Sequence, residues 1–401
     1  MFTSATILFF IALLLIASLV EPFTNKIRIP FSIILVLIGF LGSEFTTNIL
    51  ETDTGIRWHN FKDIIFYVLL PVLIFQAAIE INIGLLWKNL IPISIMALPL
   101  MILSAAITAA ALYYAINHPV GFPWIVALIT GALLSATDPA AVLALLKQAG
   151  APERLRILLE GESLFNDATA IVLFSILITF ASNHELIGGG DVLIRFSEVF
   201  FGGLITGTVI GAITFLITKI VNKEETFLLF SIASAYIAFI LTEDVLHFSG
   251  VIAVLSCGIT IGSLCSEQFQ ENTFISNVWQ LLGKFTESMI FLLAGVTITL
   301  SMFIDQWLAI LIGIAAVILS RTVMILGTFP LIALIPGVEP VTLKHQKILI
   351  WGGVRGTITL ALALSLPLTL ESWYTIQSIA YGVVLFTLFV QTITMPTLLK
   401  D

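Results

Sequence analysis

The sequence predicts an all-α protein that crosses a membrane many times. Three observations carry that expectation. Of the 401 residues, 59% are hydrophobic and only 10% are charged, where soluble domains carry about 25% charged residues. Apolar runs recur from end to end, and a spanning helix needs about 20 such residues. The lysines and arginines between those runs fall mostly on one side, as they do in polytopic proteins. The formal charge of −8 says little about partners in a chain that mostly faces lipid, and no basic stretch suggests nucleic acid.

Taken in order, the apolar runs give thirteen spans, at about 5–20, 29–48, 62–82, 90–116, 122–147, 154–182, 193–219, 225–244, 248–264, 274–300, 306–334, 345–367 and 373–398. The first, Ala5–Val20, has no basic residue before it and no small-residue cleavage motif after it. It is expected to span rather than to be removed. With the N-terminus outside, Lys26, Arg28, Lys88, Lys147, Arg154, Arg156, Lys219, Lys223, Lys344, Lys347 and Lys400 face the cytoplasm, and Arg57, Lys62 and Arg195 face out. This orientation puts the C-terminus in the cytoplasm of a multi-pass protein. The loops are too short for a soluble domain, so residues 1–401 read as one membrane domain. Cys257 and Cys265, eight apart on one helix, would stand about 12 Å apart along its axis, too far for a disulfide. They are expected to be packing residues.

Seven charged side chains stand deep within spans, eight or more residues from either end: Lys284, Arg321 and Arg355, and Asp138, Glu162, Asp167 and Glu287. Each costs about 2.5–3.5 kcal/mol at a helix centre if left alone, so they pair, neutralise or face water. Four acids against three bases leave at most one carboxylate without a basic partner, and a proton or a cation would neutralise it.

Span five carries SATDPAAV, residues 135–142. Pro139 lacks an amide hydrogen and clashes with the turn before it, and it pushes Asp138 out of helical geometry. The helix should break near Thr137–Asp138, and a broken helix at that depth must be buried in protein or line a cavity. Span six carries GESLFNDATAIVLF. Ser163 and Asp167 share one helix face, and Glu162 and Asn166 share the adjacent one. This gathers hard oxygen ligands suited to a small cation, with Asn166 able to fix Asp167.

Span twelve carries WGGVRGTITLALALSLP. Gly352, Gly353 and Gly356 weaken that helix and allow unusual backbone angles. If span seven is a linker, spans five and twelve are each the fifth helix of a six-helix unit, and the odd linker inverts the second unit. Two discontinuous helices in inverted six-helix repeats point to a transport site at their meeting. Arg355 would offset the negative helix ends gathered there. Arg321 lies too deep to reach the surface and is expected to pair with Glu162. Lys284 and Glu287 are spaced to pair locally.

SATDPAAVLALL, GESLFNDATAIVLF and WGGVRGTITLALAL, in that order, resemble the monovalent cation/proton antiporters, in particular the sodium/proton exchanger branch. LPVLIFQAAIEIN is similar to that family's third span, and the resemblance covers essentially the whole chain. It implies a homodimer of thirteen-helix subunits in the plasma or inner membrane. A moving core would be built from about 90–182 and 306–398, and a dimerisation scaffold from about 1–88 and 193–300. It makes Asn166 and Asp167 the cation and proton site, and Thr137, Asp138 and Ser163 accessory sodium ligands. Glu162 and Arg321 become a supporting ion pair. An aspartate at the Asn166 position marks an electrogenic branch, so Asn166 implies one-for-one, electroneutral exchange of sodium or lithium for a proton, with no cofactor. Many members carry a cytoplasmic regulatory segment after the last span; in this sequence Lys400-Asp401 stand just after that span.

Three rivals are set against this. An intramembrane aspartyl protease needs a G-x-G-D motif on one span and a Y-D on another; the one G-x-G-D here, Gly188–Asp191, falls between spans, and the sequence has no Y-D. A cation channel wants rings of carboxylates or a filter loop, not paired helix breaks. Potassium/proton exchange by the same fold is the third, because ion radius is set by a cavity that sequence does not give. Gly203, Gly207 and Gly211 in span seven, and Gly258 and Gly262 in span nine, suggest close helix packing. His247 and His345 stand near span ends without clustering.

Overall fold

In a computed structural model the chain is described over residues 4–27, 30–48, 61–116, 122–148, 153–183, 189–221, 223–265, 273–332 and 342–400. Arg28 and Arg57 of the sidedness argument lie outside the described residues. Among the described residues all regular structure is helical. The principal helices are α1 (Ser4–Ile27), α2 (Phe31–Asn48), α3 (Lys62–Glu80), α4 (Leu90–Ala115), α5 (Trp124–Ser135), α6 (Ala140–Gln148), α7 (Glu153–Asn183), α8 (Gly189–Val221), α9 (224–245), α10 (Gly250–Leu264), α11 (Thr273–Thr297), α12 (Trp307–Ile332), α13 (Leu343–Trp351), α14 (Thr357–Leu364) and α15 (373–400). Among the described residues seven helices are long and apolar enough to cross a membrane: α3, α4, α7, α8, α9, α12 and α15. The two expected interruptions are present, between α5 and α6 and between α13 and α14.

Hydroxyls inside the helices stay satisfied without water by bonding one turn back, as Thr130 does to the Val126 carbonyl (2.7 Å) and Thr322 to that of Ile318 (2.7 Å). Four wide π turns interrupt the α ladder, at Ile65–Leu69, Met96–Leu100, Leu241–Val245 and Thr387–Gln391. Two of them sit at prolines. Pro71 follows the first and Pro99 lies in the second, where a missing amide hydrogen loosens the ladder.

The chain divides into two compact units. One comprises 63–103 and 152–286, and its packing follows the glycines. A Cβ on Gly207 of α8 would collide with the Ala253 carbonyl and the Ser256 hydroxyl of α10. Across α10, a Cβ on Gly258 would meet the Ala78 side chain of α3 at 2.7 Å, and one on Gly262 the Ile79 carbonyl at 2.9 Å. The glycine rows are therefore packing seams, as expected. Gly207→Leu should destabilise this unit by about 1–3 kcal/mol through overpacking, read as a lower Tm in detergent. Tyr67 donates to Asp244 Oδ1 (2.8 Å) and Tyr236 to the Val68 carbonyl (3.2 Å), stitching the wide turn of α3 to α9. Cys257 and Cys265 are buried free thiols.

The other unit comprises 1–62, 104–151 and 287–401. Here α2 meets the second half of α11 where Gly39 and Gly295 bring their backbones together, and α12 meets α15 through Gly313 against Ile379 and Gly382 against Ile310. Ser104 and Thr108 of α4 both donate to Ser320 of α12, at 3.2 and 3.0 Å. Both interrupted helices belong to this unit, and so does the crossing they form.

Candidate functional site

At the first interruption the helix ends at Ser135, Ala136 turns to extended geometry (φ −57°, ψ 136°), and α6 starts after Pro139. At the second, α13 ends at Trp351 and α14 starts at Thr357. The two non-helical stretches bind each other. The Asp138 amide donates to the Val354 carbonyl (2.7 Å). Asp138 Oδ2 accepts from the amide and the hydroxyl of Thr357 (3.3 and 3.2 Å), while its Oδ1 accepts from the Ala140 amide (3.2 Å). Ala140 and Thr357 open α6 and α14, so one carboxylate serves the positive ends of both half-helices.

The negative ends are met in the complementary way. Arg355, 1% exposed, donates from Nη1 to the Ser135 carbonyl at the end of α5 (3.4 Å). Arg321, 8% exposed, donates from Nε to the Leu349 carbonyl in the last turn of α13 (2.9 Å). Sequence reasoning assigned the helix-end role to Arg355 alone; the structure gives Arg321 the same role on the other half-helix. The Arg355 amide is in turn held by the Thr387 hydroxyl (3.0 Å).

The glycines of the second break do more than was expected of them. None of Gly352, Gly353 and Gly356 has a left-handed φ, and Gly356, at φ −150° and ψ −130°, leaves both the helical and the extended regions. They are also places of close approach: a Cβ on Gly356 would land on the Asp138 carboxylate, and one on Gly353 on the Arg321 guanidinium. The break needs side chains absent so that charges from elsewhere can reach its backbone.

In the first-described unit, α7 runs unbroken through the expected cluster. Glu162, Ser163 and Asn166 are buried, and Asp167 is half-buried. Ser163 and Asp167 share one face of α7, and Glu162 and Asn166 the next. Thr169, the following hydroxyl, is committed to the Phe165 carbonyl (2.7 Å). Thr137, the expected accessory ligand beside Asp138, is buried. Asp138 itself uses three of the roughly four acceptor positions of a carboxylate on Thr357 and Ala140. Thr357 escaped the sequence reading, although a hydroxyl beside each break, Thr137 and Thr357, was a signal available there. Also missed was Ser32, whose hydroxyl lies 3.4 Å from the Glu287 carboxylate.

Comparison with known proteins agrees with this architecture. Residues 10–401 match the family model described as "Sodium/hydrogen exchanger, transmembrane". The Na(+)/H(+) antiporter ApNhaP of Aphanothece halophytica is 34% identical over 93% of this chain and 70% of its own length. The Na(+)/H(+) antiporter NhaP of Pseudomonas aeruginosa is 30% identical over 89% of this chain and 86% of its own. Among solved structures, the sodium proton antiporter MjNhaP1 of Methanocaldococcus jannaschii at pH 8 superposes with a TM-score of 0.79 over 98% of this chain and 97% of that one. At 19% identity it speaks for the fold.

Proposed function

Because this chain belongs to the sodium/hydrogen exchanger family, we infer that it is a multi-pass membrane antiporter exchanging sodium for protons. The observation that carries the reading is the crossing of two interrupted helices through Asp138, Arg355 and Thr357, in a chain that matches the exchanger model over nearly its whole length. Potassium in place of sodium is not favoured, since the relatives are named for sodium.

The exchange centre of this proposal is Asp167, steadied by Asn166, with Ser163, Thr137 and Asp138 as further oxygen ligands and Glu162 and Arg321 as a supporting pair. Proton and sodium compete for one carboxylate. Whichever is bound neutralises it, and the loaded site moves between the two bulk phases without carrying net charge. Moving an empty, ionised Asp167 through an apolar barrier costs several times thermal energy, by the insertion scale of about 2.5–3.5 kcal/mol. That penalty holds leak down and enforces coupling. Alternating access comes from a core of 90–182 and 306–398 moving on a scaffold of 1–88 and 193–300, the two halves being inverted repeats. The protein works as a homodimer in the plasma or inner membrane, N-terminus out and C-terminus in.

The test is the purified protein in liposomes holding a pH dye, with sodium, lithium and potassium added in turn, with and without a potassium clamp. Sodium and lithium should each drive proton efflux at a rate indifferent to membrane potential. Proton flux driven by potassium alone would overturn the sodium assignment. Asn166→Asp places a second carboxylate beside the first, so it should slow exchange or make it potential-dependent in the same assay. Unaltered, potential-independent exchange would remove Asn166 from the site.

A further inference from the structure

The unit of 63–103 and 152–286 contains a cavity of about 610 Å³ enclosed by α3, α7, α8 and the turn from α9 into α10. Its α7 wall includes Ile171, Ser175 and Thr179. Counted from Asp167 these are one, two and three turns further on along the same helix face, so the inner end of the cavity lies about 6 Å along the axis from Asp167. Exposure rises in step: Ile171 is buried, Ser175 half-buried and Thr179 exposed. The cavity opens at the end of α7 and the start of α8, away from Arg156, Lys219 and Lys223.

The rim is charged. Asp191, Glu198 and Glu243 stand against the single guanidinium of Arg195, with His247 beside them. Arg195 pairs with Glu198 (3.3 Å) and donates to the His247 carbonyl (3.3 Å), where the chain turns through a left-handed residue (φ 55°). Glu243 Oε2 accepts from the Gly250 amide (2.7 Å), which fixes that carboxylate at the start of α10. Counting the three carboxylates and the one guanidinium, the rim carries −2. A concave mouth of one sign, with low-dielectric walls, raises the local concentration of counter-ions by about 10–10³-fold.

We propose that this cavity is the outer approach to Asp167: a water-filled vestibule for monovalent cations, closed at its inner end by the apolar side chain of Ile171. The inference rests on the assignment of Asp167 as the exchange site. The negative rim draws cations towards α7, and Ile171 is the barrier that keeps the vestibule from being a leak. Arg195 limits the rim charge and thereby sets the outward-side apparent KM.

The test is thiol accessibility in intact cells, with Cys257→Ala and Cys265→Ala as background and small membrane-impermeant thiosulfonates of opposite charge as probes. Thr179→Cys and Ser175→Cys should react from outside, Ile171→Cys at least about tenfold more slowly, and modified Ser175→Cys should stop exchanging. At Ser175→Cys the cationic reagent should outpace the anionic one by about tenfold or more. Asp191→Asn with Glu243→Gln, the latter keeping an oxygen to accept from Gly250, should abolish that preference. The pair should also raise the outward-side KM for sodium several-fold at constant maximal rate. A Ser175→Cys thiol that reacts only from the cytoplasmic side, or not at all while Thr179→Cys does, would overturn the proposal. So would equal rates with both reagents. The thiol reaction rates report access rather than turnover, so they fail separately from the assignment of Asp167, which stands or falls on its own substitution.

Discussion

Asp167→Asn leaves proteoliposomes with the proton flux of empty vesicles. The amide is close in size to the carboxylate and adds no charge to α7, so the helix, with its buried neighbours Ser163 and Asn166, has no reason to refold. What disappears is the carboxylate that the proposed exchange loads with a proton or a sodium ion in alternation. The decisive measurement is sodium-driven dye response, with thermal melting and size-exclusion profiles recorded on the same sample. Both physical profiles should match wild type. Exchange near the wild-type rate would remove Asp167 from the centre of the mechanism, whatever the family.

The second large effect is expected at Gly356. A Cβ there falls on the Asp138 carboxylate, and that carboxylate joins the starts of α6 and α14. Gly356→Val should therefore push Asp138 off Thr357, cost about 1–3 kcal/mol of stability by overpacking, and cut exchange at least about tenfold through the misplaced crossing. Gly327→Ala is the matched control. Its Cβ would meet nothing within 4 Å, and within a helix the change is neutral or stabilising by about 0.5–1 kcal/mol. If both variants behave alike in melting and in transport, the close approach at 356 is not what holds the crossing.

The helix breaks were legible in the sequence because their causes are local. A proline after Asp138 and three glycines around Arg355 act on their own backbone, whatever surrounds them. The face shared by Ser163 and Asp167 was legible for the same reason, since helical spacing alone sets it. Partners were much less legible. Arg321 announced itself only as a charge too deep for lipid; that its Nε would find the Leu349 carbonyl depends on where α13 stops and which carbonyl is left over. Thr357 could be placed near a break but not against Asp138, because that contact is made between segments more than two hundred residues apart. The wide turns, such as Leu241–Val245, left no composition signal strong enough to read. The glycines of the second break were found in the right place with only part of the reason attached, since a sequence does not say what must come near a bare Cα.

The guanidinium groups at the ends of α5 and α13 have a further consequence. An arginine keeps its proton at every pH a folded protein meets, whereas a lysine or a histidine in the same positions would surrender it in alkaline surroundings. The compensation of the severed helices is therefore constant while the cargo is being swapped. Alkaline surroundings therefore do not loosen the crossing of the two interrupted helices.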